Sequence, residues 1–149
     1  MMSLSSMQST AAAAIAANAY FTASPAVSCI VDDGLQDSTI ENALRSMGCI
    51  VVIPPILRAA RRDVGAGKIL LEAEMVVRVL VNPQVNAATG GANRNIYQMV
   101  AAASQAIMAW VPGLGDRKFE TAEEFFQLIT SDSGLLSYDV YFTKLTTIN

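Results

Sequence analysis

Lys68-Ile-Leu-Leu-Glu-Ala-Glu-Met-Val-Val-Arg-Val-Leu-Val-Asn82 alternates between two chemistries. Ile69, Leu71, Ala73, Met75, Val77, Val79 and Val81 occupy every second position, and a period of two places them on one face of a strand. The other set, Lys68, Leu70, Glu72, Glu74, Val76, Arg78 and Leu80, mixes charges with aliphatic groups, as on a sheet face that meets solvent or a partner. A helix would scatter both sets around its circumference. At about 3.3 Å per residue the run spans roughly 45 Å, well beyond the common strand of about 5 to 6 residues. A strand of this length is expected to project past the body of a small domain or to bend at a bulge.

Working back from that strand, Arg58, Arg61, Arg62 and Lys68 crowd into a short basic segment whose tip carries Gly65 and Gly67. The spacing suits a solvated hairpin loop or a basic arm reaching a polar partner. Pro54-Pro55 ends a continuous apolar run, Cys49 to Ile53, which reads as a strand covered on both faces. Before it, Ser38 and Glu41 have capping-box spacing, Ile40, Ala43, Leu44 and Met47 lie at helical intervals, and Gly48 suits a left-handed cap. Ala26 to Val31 reads as another strand, with Asp32-Asp33-Gly34 as a turn. Strand, helix and strand in this order predict a crossover between parallel neighbours. Met7 to Ala23 is alanine-rich and predicts one helix that Pro25 stops, with Met1 to Ser6 loose before it.

Working forward, Asn82-Pro83 breaks the long strand and Gln84 to Ala92 reads as a loop of small residues. Asn95 and Gln98 cap the principal helix, whose stripe of Ile96, Met99, Val100, Ala103, Ile107 and Trp110 should lie on the apolar face of the long strand. Asn95, Gln98, Ala102, Gln105 and Ala109 are expected to look outward. Val111-Pro112-Gly113 stops that helix. Glu120 to Glu124 suits the start of a short helix, Phe125 to Thr130 a strand, and Leu135 to Ile148 a returning strand, so the chain closes on a hairpin. In that last strand Tyr138, Val140, Phe142 and Lys144 share one face, and Asp139, Tyr141, Thr143 and Leu145 the other. The expected class is α/β (α+β): a mixed sheet with a long central strand, helices mainly on one face and a C-terminal hairpin. It forms a single domain over residues 1–149, with 1–24 as an N-terminal helical extension.

The 149 residues suffice for a core without staples. Hydrophobic residues make up 52% and charged residues 15%, a shift towards chains that bury surface against partners. A net charge of -3 argues against general nucleic-acid affinity, and the sequence has no histidine, which removes the commonest general base and metal ligand. Cys29 and Cys49 match no zinc spacing and read as buried free thiols. No basic residue precedes Arg45 and no run reaches the roughly 18 apolar residues of a membrane span. The expectation is a chain made in the cytosol that does not enter a membrane.

Several motifs look chemical and fail on context. Gly65-Ala-Gly67-Lys68 is similar to the end of a phosphate-binding loop, yet Arg62 and Ile69 stand where glycine and Ser or Thr belong, and a strand follows instead of a helix. The carboxylate pairs Asp32-Asp33, Glu72 with Glu74, and Glu123-Glu124 lack cation-loop spacing, and no Ser nucleophile elbow occurs. No catalytic residue, metal ligand or cofactor site is therefore assigned, and an enzyme is not expected.

Taken together, the order of segments resembles the tail terminator, or tail completion, proteins of tailed bacteriophages. The residues that carry the resemblance are Gly48-Cys-Ile-Val-Val-Ile-Pro54, the long strand ending Val81-Asn82-Pro83, the helix ending Ala109-Trp-Val-Pro-Gly113, and Ser137-Tyr-Asp-Val-Tyr-Phe-Thr143. It runs from about Asp37 to Ile148, and the alanine-rich N-terminus departs from it. The resemblance implies a homo-oligomeric ring, typically a hexamer, that caps the tail tube, stops its polymerisation and offers its other side to the head-tail connector. It implies a sheath contact in contractile tails, a virion location after assembly in the host cytoplasm, and DNA that passes through without specific binding. From position and charge, Arg58, Arg61, Arg62 and Lys68 are candidates for docking to the tube, and Glu72, Glu74 and Arg78 for a lumen or subunit interface. Another neck ring, a connector or stopper, is the alternative; a small ligand-binding domain or enzyme is the more remote one.

Overall fold

The computed structural model describes residues 3–32, 37–56, 58–65, 68–109, 118–130 and 134–147. Its centre is the predicted strand, and the other elements are placed by what they do to its two faces and two edges. In chain order the elements are α1 (Leu4–Ala16), α2 (Ala19–Thr22), β1 (Cys29–Val31), α3 (Asp37–Ser46), β2 (Cys49–Ile53), β3 (Arg58–Gly65), β4 (Lys68–Val81), α4 (Pro83–Ala87), α5 (Ile96–Ala109), β5 (Glu120–Thr130) and β6 (Leu136–Thr147). The fold is α+β, and its described residues form one mixed six-stranded sheet, ordered β1-β2-β4-β6-β5, with β3 also paired to β4. β1 and β2 are parallel neighbours joined through α3, and all other pairings are antiparallel.

β4 and β6 are zipped together over twelve consecutive pairs, from Leu70 opposite Thr147 to Val81 opposite Leu136. Along its other edge β4 holds two strands in series. β2 pairs with its Val81 end and β3 with its Lys68 end, and Pro54-Pro55, which remove two amide donors, fall between them. The sheet therefore has a wide half at the Val81 end and a narrower half, a β3–β4 arm with β6 alongside, at the Lys68 end. Ile69 is 38% exposed on the arm, whereas Ala73, Met75, Val77 and Val79 are fully enclosed. The long strand thus overhangs its core, as its length predicts.

The main core lies between the odd-numbered face of β4 and the helices. Met7, Ala11 and Ile15 of α1, Phe21 of α2, and Met99, Val100, Ala103 and Ile107 of α5 close over Met75, Val77, Val140 and Phe142. Each large side chain buried there contributes about 1.5–3 kcal/mol. A smaller cluster on the opposite face sets Leu44 of α3, backed by Ile40 and Ala43, against Ile50 and Val52. Helices are thus mainly on one face, with α3 on the other.

Local chemistry explains several departures from expectation. The N-terminal helix begins at Leu4 rather than near Met7 and breaks after Ala16, because the Asn18 side chain accepts from the Tyr20 amide and starts α2 anew. It is built into the principal core rather than appended to it. The segment after Asn82 holds α4, capped by the Asn82 side chain with Pro83 at its first position. Glu120 to Glu124 is strand, not helix, because β6 offers it a ladder; the pairing becomes irregular between Thr121 and Phe126. Ala102 is buried, not outward, since α1 also packs against α5 and widens its covered side. α3 starts at Asp37, one residue ahead of the proposed Ser38 cap. Gly48 does adopt φ +81°, and a side chain there would run into the Asn86 backbone. Asn95 caps α5 by accepting from the Tyr97 and Gln98 amides at 3.0 and 3.2 Å. Trp110 to Arg117, the Asp33-Gly34 turn, Gly67, the Ser131 to Ser133 turn and Ile148 lie outside the described residues.

Candidate assembly surface

The basic segment forms strand β3 of the arm. Its ladder to β4 runs from Arg58 opposite Glu74 to Gly65 opposite Lys68, with a register shift between Arg61 and Asp63 that leaves Arg62 as the extra residue. Such a bulge strengthens the local twist and bends the edge strand. The backbones of Arg61, Arg62 and Lys68 are placed by this hairpin; their side chains lie outside the described set. Lys68 opens β4, so no helix follows the glycine-rich tip and the likeness to a phosphate-binding loop ends there.

Arg58 donates from Nε and Nη2 to Glu74 Oε2 at 2.9 and 2.7 Å. The Glu74 side chain is largely enclosed while the Arg58 side chain is mostly exposed, so the pair joins a covered carboxylate to a guanidinium that reaches solvent. Four pairs further along from Glu74, Arg78 and Asp139 face each other across β4 and β6. Arg78 donates Nε to Oδ1 and Nη2 to Oδ2, both at 2.8 Å, in a bidentate fork. Asp139 is 2% exposed, and its hydrogen bond is the leading reason that the Arg78 guanidinium is held above its ordinary basicity. Glu74 and Arg78, proposed from sequence for a lumen or a neighbour, are thus committed within the chain. Glu72 lies half-buried on the same face, opposite Ala60 and Leu145.

The sequence reading missed three polar groups that hold this architecture. Arg94 donates Nη1 to the Tyr20 carbonyl at 2.9 Å and Nη2 to those of Ala23 and Pro25 at 2.8 and 2.9 Å, and its guanidinium lies 4.8 Å from the Tyr20 ring centre. It ties the end of α2 to the approach to α5. Asn86, buried in α4, accepts from the Arg94 amide and donates to the Arg94 carbonyl, at 3.0 and 2.8 Å. Asp139 belongs to the outward set of β6, but only the register with β4 brings it to Arg78. Lone polar residues in a loop, a one-turn helix or a strand carry no periodic signal, so each needed the tertiary fold to be seen.

Lys144, buried opposite Ala73, sets its Nζ 5.0 Å from the Phe119 ring centre. Cys29 and Cys49 are free thiols on neighbouring strands; burial, with Cys49 close by, pushes Cys29 up to about 12, and burial pushes Cys49 up to about 11, moderated by Arg94. Both therefore stay protonated and unreactive near neutrality. No helix among the described residues is long and apolar enough to cross a membrane.

Among the described residues, β3 pairs with β4, β5 with β6 and β1 with β2, so these three are the edge strands of the described sheet. The described arrangement ends in edge strands, β3 and β5, whose sequences are rich in charge. No protein-family model and no curated protein matches the chain.

Proposed function

We propose that this chain is a structural virion protein that forms a ring on the end of a bacteriophage tail tube, ends its polymerisation and provides the surface for joining to the head. The observation that carries this reading is spatial. The segments on which the resemblance rests, β4 with its Asn-Pro end, α5 and β6, are neighbours in one unit: β6 is zipped to β4 over twelve pairs and α5 packs on the same face. The overhanging arm and the unpaired edges support it further, because a ring needs subunit contacts that a monomer leaves open. Its partners in this reading are further copies of itself, the tube subunit, the head-tail connector and, in a contractile tail, the sheath; DNA passes through without specific contacts.

The test uses the tube subunit of the same virus. Tubes polymerised with rising amounts of this chain are expected to become shorter and to carry a ring at one end in electron micrographs. A tube-length distribution that does not respond to the added chain would overturn the proposal.

A further inference from the structure

The pairings define rows across the sheet. Arg58 lies opposite Glu74, Glu74 opposite Thr143, and Thr143 opposite Glu120. From this shared row β3 runs towards the Lys68 end of β4, and β5 runs the other way, until Thr130 meets Leu136 level with Val81. β3 and β5 are therefore edge strands on opposite sides and in opposite halves of the same sheet.

Their charges are opposite too. β3, Arg-Ala-Ala-Arg-Arg-Asp-Val-Gly, holds three arginines and one aspartate; β5, Glu-Thr-Ala-Glu-Glu-Phe-Phe-Gln-Leu-Ile-Thr, holds three glutamates and no basic residue. Neighbouring strands alternate in direction through β3, β4, β6 and β5. A second copy's β3 laid beside β5 continues that alternation.

We infer that β3 of one copy pairs antiparallel with β5 of the next, head to tail, bringing Arg61 and Arg62 level with Glu123 and Glu124. The occupant of each open edge is a second copy of this chain, because the complementary edge is carried by the chain itself. Because β3 and β5 lie in opposite halves, the second copy is displaced along the strands by about five residues, roughly 17 Å. This displacement builds up over four strands spaced about 4.8 Å apart, roughly 19 Å. The resulting tilt of about 41° falls within the range in which sheets close into barrels. The same displacement carries the second copy's β1 beyond Thr130 instead of onto β5. It also sets the bulge of β3 against the irregular stretch of β5 between Thr121 and Phe126, where Glu123 and Glu124 stand. Each copy uses one edge of each kind, so the contact is heterologous and repeats until it closes.

This inference deepens the ring reading and rests on it for closure, while the contact itself is measured without a phage tail. Two charge-reversed variants provide the test: Arg61→Glu with Arg62→Glu makes both edges acidic, and Glu123→Arg with Glu124→Arg makes both basic. Each alone is expected to associate on the order of a hundredfold more weakly than wild type, as like charges meet across the edge. An equimolar mixture restores opposite charges at every junction and should recover assemblies, read as solution mass by light scattering. Wild-type protein that stays a single subunit even at millimolar concentration overturns the pairing. So do folded variants that assemble alone as wild type does, or a mixture that stays dissociated while both variants keep the wild-type circular dichroism and melting profile. If a reversal prevents folding, Arg61→Gln with Arg62→Gln takes its place, with association expected to fall roughly tenfold; unchanged association overturns the pairing. Reconstituted rings that leave tube length unaltered would remove the tail-capping function and leave the edge pairing standing. Intact rings of the Arg61→Glu, Arg62→Glu variant that no longer bind tubes would do the opposite, moving these arginines to the tube contact.

Discussion

Arg94 shows how one side chain can organise a charge-free neighbourhood. It is the one charged residue between Arg78 and Asp116, and its guanidinium satisfies three carbonyls where α2 ends and the chain turns towards β1. The loss of Arg94 removes all three of these bonds, two of them part-buried, together with the contact with the Tyr20 ring. Arg94→Ala is expected to lower unfolding free energy by about 3 kcal/mol in urea titrations. Arg94→Lys should recover less than half of that, since a point ammonium cannot reproduce a planar fork reaching three acceptors. Equal stabilities of the lysine variant and wild type would show that charge alone, not fork geometry, holds the junction.

At the level of elements, the β4–β6 ladder is fixed by more than its apolar face. The Arg78–Asp139 fork works only in the observed register, because a slip by one residue would separate the pair and turn both sets of side chains to the wrong face. Its two ends are not equivalent: Asp139 is 2% exposed, whereas the Arg78 side chain is 35% exposed and reaches water. Arg78→Ala, which strands a buried carboxylate, should therefore cost about 3 kcal/mol, and Asp139→Ala about half as much. Denaturant midpoints in matched buffers check the order; a larger loss for Asp139→Ala would contradict the solvent-access argument. The same ladder explains what the sequence could and could not disclose. Alternation between Ile69 and Val81, the glycine cap at Gly48 and the Asn95 cap act over a few residues, and all three appear in the fold as expected. Strand at Glu120 to Glu124, the pairing of Arg58 with Glu74, and the Arg78–Asp139 fork depend on a partner far away in the chain, so local pattern had no access to them. The basic segment lies between these cases: its charge was plain, but its role as an edge strand followed only from the hairpin with β4.

Considered whole, the molecule is strongly one-sided in its charge. Residues 3–31 and 95–109, which supply α1, α2 and α5, contain no charged residue, while α3, β3, β4 and β5 carry most of the ionic groups. If copies associate through β3 and β5 as proposed, electrostatic control acts through the sheet edges and not through the uncharged helices. That association should weaken as salt rises from about 0.05 to 0.5 M, because the screening length falls well below the size of the contact. Sedimentation velocity across that range would register the dissociation; assembly that strengthens steadily with salt would point instead to the uncharged helical face as the main contact.

The gap between β2 and β3 has a mechanical meaning. Because both strands lie in series along one edge of β4, only β4 and β6 run unbroken from the core into the arm. A pull on β3 along the strand direction loads its whole ladder to β4 together in shear, whereas a sideways pull opens β3 from β4 one pair at a time, like a zip. A subunit held by a neighbour through β3, as proposed, would thus be stiff along the strands and compliant across them, and the two prolines mark where that compliance begins.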